Sequence, residues 1–433
     1  MSSKWNEAYA ELQSFIIANP SIKLSASITS MPGNVRPEFY RLFDKVRIAY
    51  VEGEFPALLR EAKTLSENYT KTGQEVMELL QLESITSLNF LDRFLSDPLD
   101  ELYRGLLDPL FDLLKGKIDL AAFESLGSTS IETTFGNLHR LGYSKWLALS
   151  MVKLLEADKL FAGVHPETKM DGHGDPLHNR MPVDTPQETK KLTFDHGPDD
   201  FSAFIMPHFI VHSAKLDRYV SIRSELRSAS YTTANASEKR EWYQINAMSN
   251  EHRLALRNPS LLIYIDDELD DIALIADTNM ICRPDLIVEY REQKDWSMKK
   301  DVLARRTGLY DVLNPVLGRY IVSQEPVSEE ALAMLTPDPE PAPEPTDSEL
   351  AEGITPGEEA QTLPDQVLQE PGDPEAQPLP DQVPQEPEKR RPETHVLTVG
   401  FDLSNLDPIM EVMINSNYQD PEQNGELTRK ETI

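Results

Sequence analysis

The sequence predicts an α+β multidomain chain. It has an N-terminal all-α helical bundle, a small C-terminal α/β domain (αβββαβ-like), and a disordered, acidic, proline-rich tail. Three observations carry this. Up to about residue 164 apolar side chains recur at three- and four-residue steps, the period of one helix face. Beyond about residue 200 short β-rich runs alternate with helical ones. From residue 325 to 433 the chain holds 26 acids, 5 bases and 17 of its 32 prolines. Such a composition cannot bury enough apolar surface to offset chain ordering.

The helical elements follow in order. Trp5, Ala8, Tyr9, Leu12, Phe15 and Ile16 form the first stripe, closed by Pro20. Pro37 opens a second, with Phe39, Leu42, Phe43 and Val46. Further stripes are Val76, Leu79, Leu80 and Leu88, Leu91, Phe94, Leu95. In 99–114 Leu102, Leu106, Leu107, Leu110 and Leu114 continue the pattern, and Pro109 predicts a kink or two short helices. Residues 146–161 read as the last strong helix. Six or seven amphipathic helices with short connectors make a bundle. Residues 165–200 lose the apolar spacing and read as an irregular linker or insert. In the second part 201–213 suits strand or helix, and 237–257 looks helical. Residues 261–266, 272–275 and 286–288 read as strands, 296–313 as a helix and 320–322 as a fourth strand.

The expected domains are therefore 1–164, helical; 165–200, linker; 201–324, α/β; and 325–394, disordered tail. They continue with 395–418, a short apolar segment that either docks on the body or binds a partner, and 419–433, a disordered terminus. In the tail Leu363-Pro364-Asp365-Gln366-Val367 returns as Leu379-Pro380-Asp381-Gln382-Val383. Two polar, proline-broken copies cannot stack into a solenoid.

The formal charge of −31 divides unevenly: −21 on the tail and −10 on the body 1–324, which holds 37 bases and 47 acids. A net-negative body without a basic run argues against a sequence-independent nucleic-acid coat. The lone Cys282 excludes an internal disulfide framework and a cysteine-based zinc site. Early acids and polar residues at the N-terminus do not fit a signal peptide, and no apolar run approaches the ~18 residues of a membrane helix. A cytoplasmic protein without a membrane partner is expected.

The stretch Arg283-Pro284-Asp285-Leu286-Ile287-Val288-Glu289-Tyr290-Arg291, within the element order over residues 237–323, resembles the PD-(D/E)xK restriction-endonuclease-like superfamily. Arg306 and Tyr310 stand in the following helix where such proteins often carry a polar or basic residue and a tyrosine. The resemblance implies metal-assisted phosphodiester hydrolysis, with carboxylates on neighbouring strands holding Mg²⁺. Asp277 and Glu289 would be ligands, with Glu251 a third. Where the family places its water-orienting lysine this chain has Arg291, a planar fork and not a compact point charge. That departure argues against catalysis.

Six of the nine histidines fall at His165, His173, His178, His196, His208 and His212, with Asp171, Asp175 and Asp195 nearby, but no recognised ligand spacing joins them. Asp266, Asp267, Glu268, Asp270 and Asp271 read as a solvated turn, lacking the glycine and terminal glutamate of a calcium loop. Phosphate-binding loops and a Gly-x-Ser-x-Gly elbow are absent. The preferred reading is an intracellular interaction or regulatory protein with a nuclease-like core, no cofactor, and a protein partner engaged through the tail. The alternative is a metal-dependent phosphodiesterase or DNA nuclease using Mg²⁺ and contacting nucleic acid. A further alternative is an assembly or scaffold component of a mobile element.

Overall fold

Helices form where apolar spacing and proline placement agree. The computed structural model describes residues 4–25, 29–161, 187–194, 209–224, 242–244, 260–269, 272, 280–291, 296, 315–335 and 394–416. Within these the architecture is mixed α+β, helical first and sheet-rich later. Helix α1 (Lys4–Ala18) buries Trp5, Ala8, Tyr9 and Leu12. Helices α2 (Arg36–Glu54) and α3 (Pro56–Leu80) both carry proline in the first turn. There its fixed φ suits the helix and its missing N–H costs nothing. α4 (Asn89–Ser96), α5 (Pro98–Arg104) and α6 (Leu107–Leu114) are short. The break expected near Pro109 falls at Gly105–Leu106, and Pro109 itself lies in the first turn of α6.

The longest helix among the described residues, α7 (Leu120–Leu154), organises the core. Asp119 caps it, accepting the Ala122 N–H at 2.8 Å, a contact of about 1 kcal/mol. Residues 142–152 are all buried, as expected of a helix with neighbours on every side. Gly142 permits this, because a Cβ there would come within 2.9 Å of Leu65 on α3 and 3.1 Å of Leu95 on α4. On another side Tyr143 lies 6.3 Å from Tyr290, which belongs to the sheet.

Seven strands form that sheet: β4 (Ala157–Phe161), β6 (Phe209–Ser213), β7 (Arg218–Ser224), β9 (Ser260–Asp266), β11 (Leu286–Arg291), β12 (Arg319–Ser323) and β13 (Thr394–Thr398). Their spatial order is β13-β12-β11-β9-β7-β6-β4. The strands from β4 to β11 are antiparallel, and β11, β12 and β13 run parallel. Small two-stranded pieces are β1 (Lys23–Leu24) with β2 (Thr29–Ser30), β3 (Ser84–Thr86) with β5 (Lys191–Thr193), and β8 (Trp242–Gln244) with β10 (Met280–Cys282).

Several expectations are corrected. The helix placed over 146–161 ends at Leu154. Glu156 takes a left-handed φ of 49°, and 157–161 then extends as β4. Within the linker 165–200, residues 187–194 are ordered. β5 pairs with β3, and Leu192 and Phe194 are 1 % exposed. Residues 242–244, inside the segment read as helical, form a strand, and the rest of 237–257 lies outside the described residues. Ile272 is buried and helical instead of extended, and 273–275 lie outside. β11 pairs directly with β9, so the antiparallel run reaches it from β6 and β7. Of the helix expected over 296–313 only Trp296 is described.

Part of the stretch expected to be a disordered tail is described. Residues 325–335 are ordered, with α8 (Glu329–Leu335) burying Ala331 and Leu335. Residues 336–393 and 417–433 lie outside the described set. The apolar segment between them packs on the body. β13 adds to β12, the Val399 N–H bonds the Ser323 carbonyl at 2.9 Å, and the Tyr143 hydroxyl donates to the Gly400 carbonyl at 2.9 Å. A 3₁₀ turn (Leu403–Leu406) and α9 (Asp407–Asn415) follow, with Leu406, Ile409, Met410 and Met413 buried. One continuous cluster of buried apolar side chains runs from Trp5 through α7 and the sheet to Met413. No helix among the described residues is long and apolar enough to cross a membrane.

Candidate functional site

Strand alternation gives the sheet two faces. Val220, Ile222, Leu261, Ile263, Leu286, Val288, Tyr290, Tyr320 and Val322 belong to the cluster shared with α7. The intervening residues form the opposite face, which is also buried and carries charge. Asp285 is 0 %, Glu289 2 %, Arg291 8 % and Arg319 1 % exposed. Two acids and two bases thus share one layer, with Ser221 and Ser323 buried beside them.

Asp285, Glu289, Arg291 and Ser323 each have an identifiable tie. Asp285 precedes β11, and its carboxylate accepts the Ile265 N–H of β9 at 2.6 Å. Its backbone N–H reaches the Ile263 carbonyl at 2.9 Å, and its own carbonyl accepts from Leu317 at 2.8 Å. Asp285 therefore knits β9, β11 and the approach to β12. Glu289 and Arg291, two residues apart on β11 and so on one face, form an ion pair. The Arg291 guanidinium lies 5.6 Å from the centroid of the Trp296 ring, within cation–π range. The Trp296 indole N–H donates to the Ser323 hydroxyl at 2.9 Å, and that hydroxyl donates to the Glu325 carbonyl at 2.6 Å. A polar chain thus runs from Glu289 through Arg291 and Trp296 to β12 and its exit.

Of the residues picked out by sequence, Glu289 and Arg291 lie here together, and Asp277 and Glu251 lie outside the described residues, as do Arg306 and Tyr310. Of the six clustered histidines only His212 is described. It sits on β6, 2.7 Å from Asp158 and 5.1 Å from the Tyr219 ring. In the acidic run Asp267 pairs with Arg218 at 2.6 Å, and Asp266 accepts the Glu268 N–H at 3.3 Å. Asp270 and Asp271 lie outside. Among the described residues no three His, Cys, Asp or Glu side chains gather as a metal-holding group.

Trp296, Arg319 and Ser323 were missed by sequence reasoning. Arg319 and Ser323 flank the run Tyr320-Ile321-Val322 and resemble ordinary strand-end residues. Alternation about Ile321 was the available signal, since it puts both on one face. Comparison with family models, with curated proteins and with solved structures finds no match to this chain.

Proposed function

We propose that this chain acts by binding a partner and not by cutting a phosphodiester. In this reading its sheet is a nuclease-like scaffold whose acidic centre is closed by the chain's own arginine. The observation that supports it is the Glu289–Arg291 ion pair under Trp296. A carboxylate that holds Mg²⁺ must offer its oxygens to the ion. Glu289 instead meets a guanidinium, which is permanently charged and cannot give up a proton. Asp285, the other buried acid of this layer, spends one oxygen on a backbone N–H. The partner in this reading is a protein with a basic surface, engaged by stretch 336–393, which carries 16 acids against 3 bases. A cytoplasmic setting fits the same reading.

The test is cleavage of single- and double-stranded DNA by purified full-length protein with Mg²⁺ or Mn²⁺, beside Glu289→Ala. No cleavage by either protein is expected, and no rise in unfolding temperature on adding either ion. Metal-dependent cleavage that disappears in Glu289→Ala would establish the phosphodiesterase reading instead.

A further inference from the structure

Leu335 and Val396 bracket the stretch 336–393, and both pack on one small cluster with Trp296 and Ile321. The two ends of that stretch are therefore side by side. A connection of a handful of residues would join them, and connections beyond about 12–15 residues inside a domain are uncommon. This one is several times longer and rich in proline, with 14 prolines between Thr336 and Glu393. Fully extended it would reach ~200 Å, far beyond what docking within one molecule requires.

The segment that follows is seated in the manner of a separate peptide. β13 extends the sheet by adding to the β12 edge in register, Arg319 opposite Thr394 through Ser323 opposite Thr398. Phe401 sets its ring against Tyr143 at 5.5 Å and Trp146 at 5.0 Å, both on α7. The apolar side of α9 completes the contact with Ile409, Met410 and Met413. Strand addition with side-chain anchors is a recurring way to recognise an extended ligand.

We propose that segment 394–416 is an exchangeable ligand of the groove between the β12 edge and α7, and that the groove's other occupant is the same segment of a second copy of this chain. A second copy brings the identical strand register, the same aromatic anchor and the same buried side chains. Exchange therefore needs no new complementarity, which makes swapping an element a low-cost route to a dimer. The over-long connection is what permits it. Intramolecular effective concentration falls roughly as the −3/2 power of tether length, and the tether reaches a neighbour. This inference is independent of whether Glu289 holds a metal.

The experiment uses two full-length populations, each with a site-specific protease sequence substituted within 336–393. One carries an N-terminal affinity tag and the other is ¹⁵N-labelled. They are mixed at high concentration, incubated and cut, and the tagged bodies are recovered for mass spectrometry. The expected result is labelled C-terminal fragment on the tagged body, from a mixture whose uncut chains contain a dimer by light scattering. Deleting 345–385 leaves less than a third of the tether and raises intramolecular effective concentration about sixfold. The labelled share should fall accordingly, and Phe401→Ala should speed exchange. Absence of labelled fragment at every incubation time overturns the proposal. So does its appearance only after cutting while uncut chains stay monomeric.

Discussion

Val288 and Glu289 are neighbours on β11 and equally shut off from water, at 0 % and 2 % exposed, yet they enter opposite kinds of layer. Val288 joins the apolar cluster packed on α7, where burial itself stabilises, at roughly 25 cal/mol per Å². Glu289 enters a layer of buried charges beside Arg291, where burial costs desolvation that pairing must offset. The α7 side supplies stability. The other side has tight geometric demands. Burial alone therefore says nothing about which residues matter for function. The partner on each face does.

The largest expected effect lies on the charged face. Arg291→Met removes the guanidinium beside Glu289 and should destabilise by about 3–5 kcal/mol in denaturant unfolding, because a buried carboxylate loses its counter-charge. The double change Glu289→Leu with Arg291→Met should recover most of that loss. A double variant as unstable as the single one would break the contrast between the faces.

The α7 side handles an ionisable group differently. His139 is 3 % exposed, with its ring 4.9 Å from Phe135. Burial pushes its pKa down from 6.5 to about 4, opposed by the charge of Glu61. The unfolded chain takes up this proton near pH 6.5 and the folded chain only near pH 4. Stability from this group is thus complete above pH 6.5 and falls as the pH drops towards 4, by about 3 kcal/mol in all. His139→Leu should flatten that part of the stability–pH curve. An unchanged slope would show that the neutral, buried state of His139 is not what sets it.

The smallest effect sits where the C-terminal segment meets α7. Tyr143→Phe deletes the hydrogen bond to the Gly400 carbonyl and should cost about 1 kcal/mol. The loss should show as earlier exchange of amides in 394–416 before those of α7. Simultaneous loosening of both would mean that the segment is as integral to the core as β11.

Much of the fold was legible because it is local. The stripes of α1 and α2 repeat over several turns, and Pro37 marks the start of α2. The β-rich runs at 261–266, 286–288 and 320–322 lie inside β9, β11 and β12. Half of the candidate site was legible too. Glu289 and Arg291 were singled out by the resemblance of the stretch 283–291 to a nuclease strand, and alternation puts them on one face. The misread pieces include the first part of α7, residues 120–145, which was not singled out as a helix, and several short strands. A five-residue strand such as β4, continuous with a long helix, shows no period that separates it from another turn.

What the sequence by itself determined is every feature written in a repeat of two or of 3.6 residues, together with the charge imbalance, since these depend on neighbours a few positions apart. Only the tertiary structure decided that β4 leaves the helical region to edge the sheet, and that Trp296 and Ser323 close over Arg291. It alone decided that β13, beyond the whole stretch 336–393, pairs with β12. The physical reason is that strand pairing and buried charge pairing are satisfied by groups far apart in the chain. Many segments carry suitable donors and acceptors, and only packing of the whole core selects which ones meet.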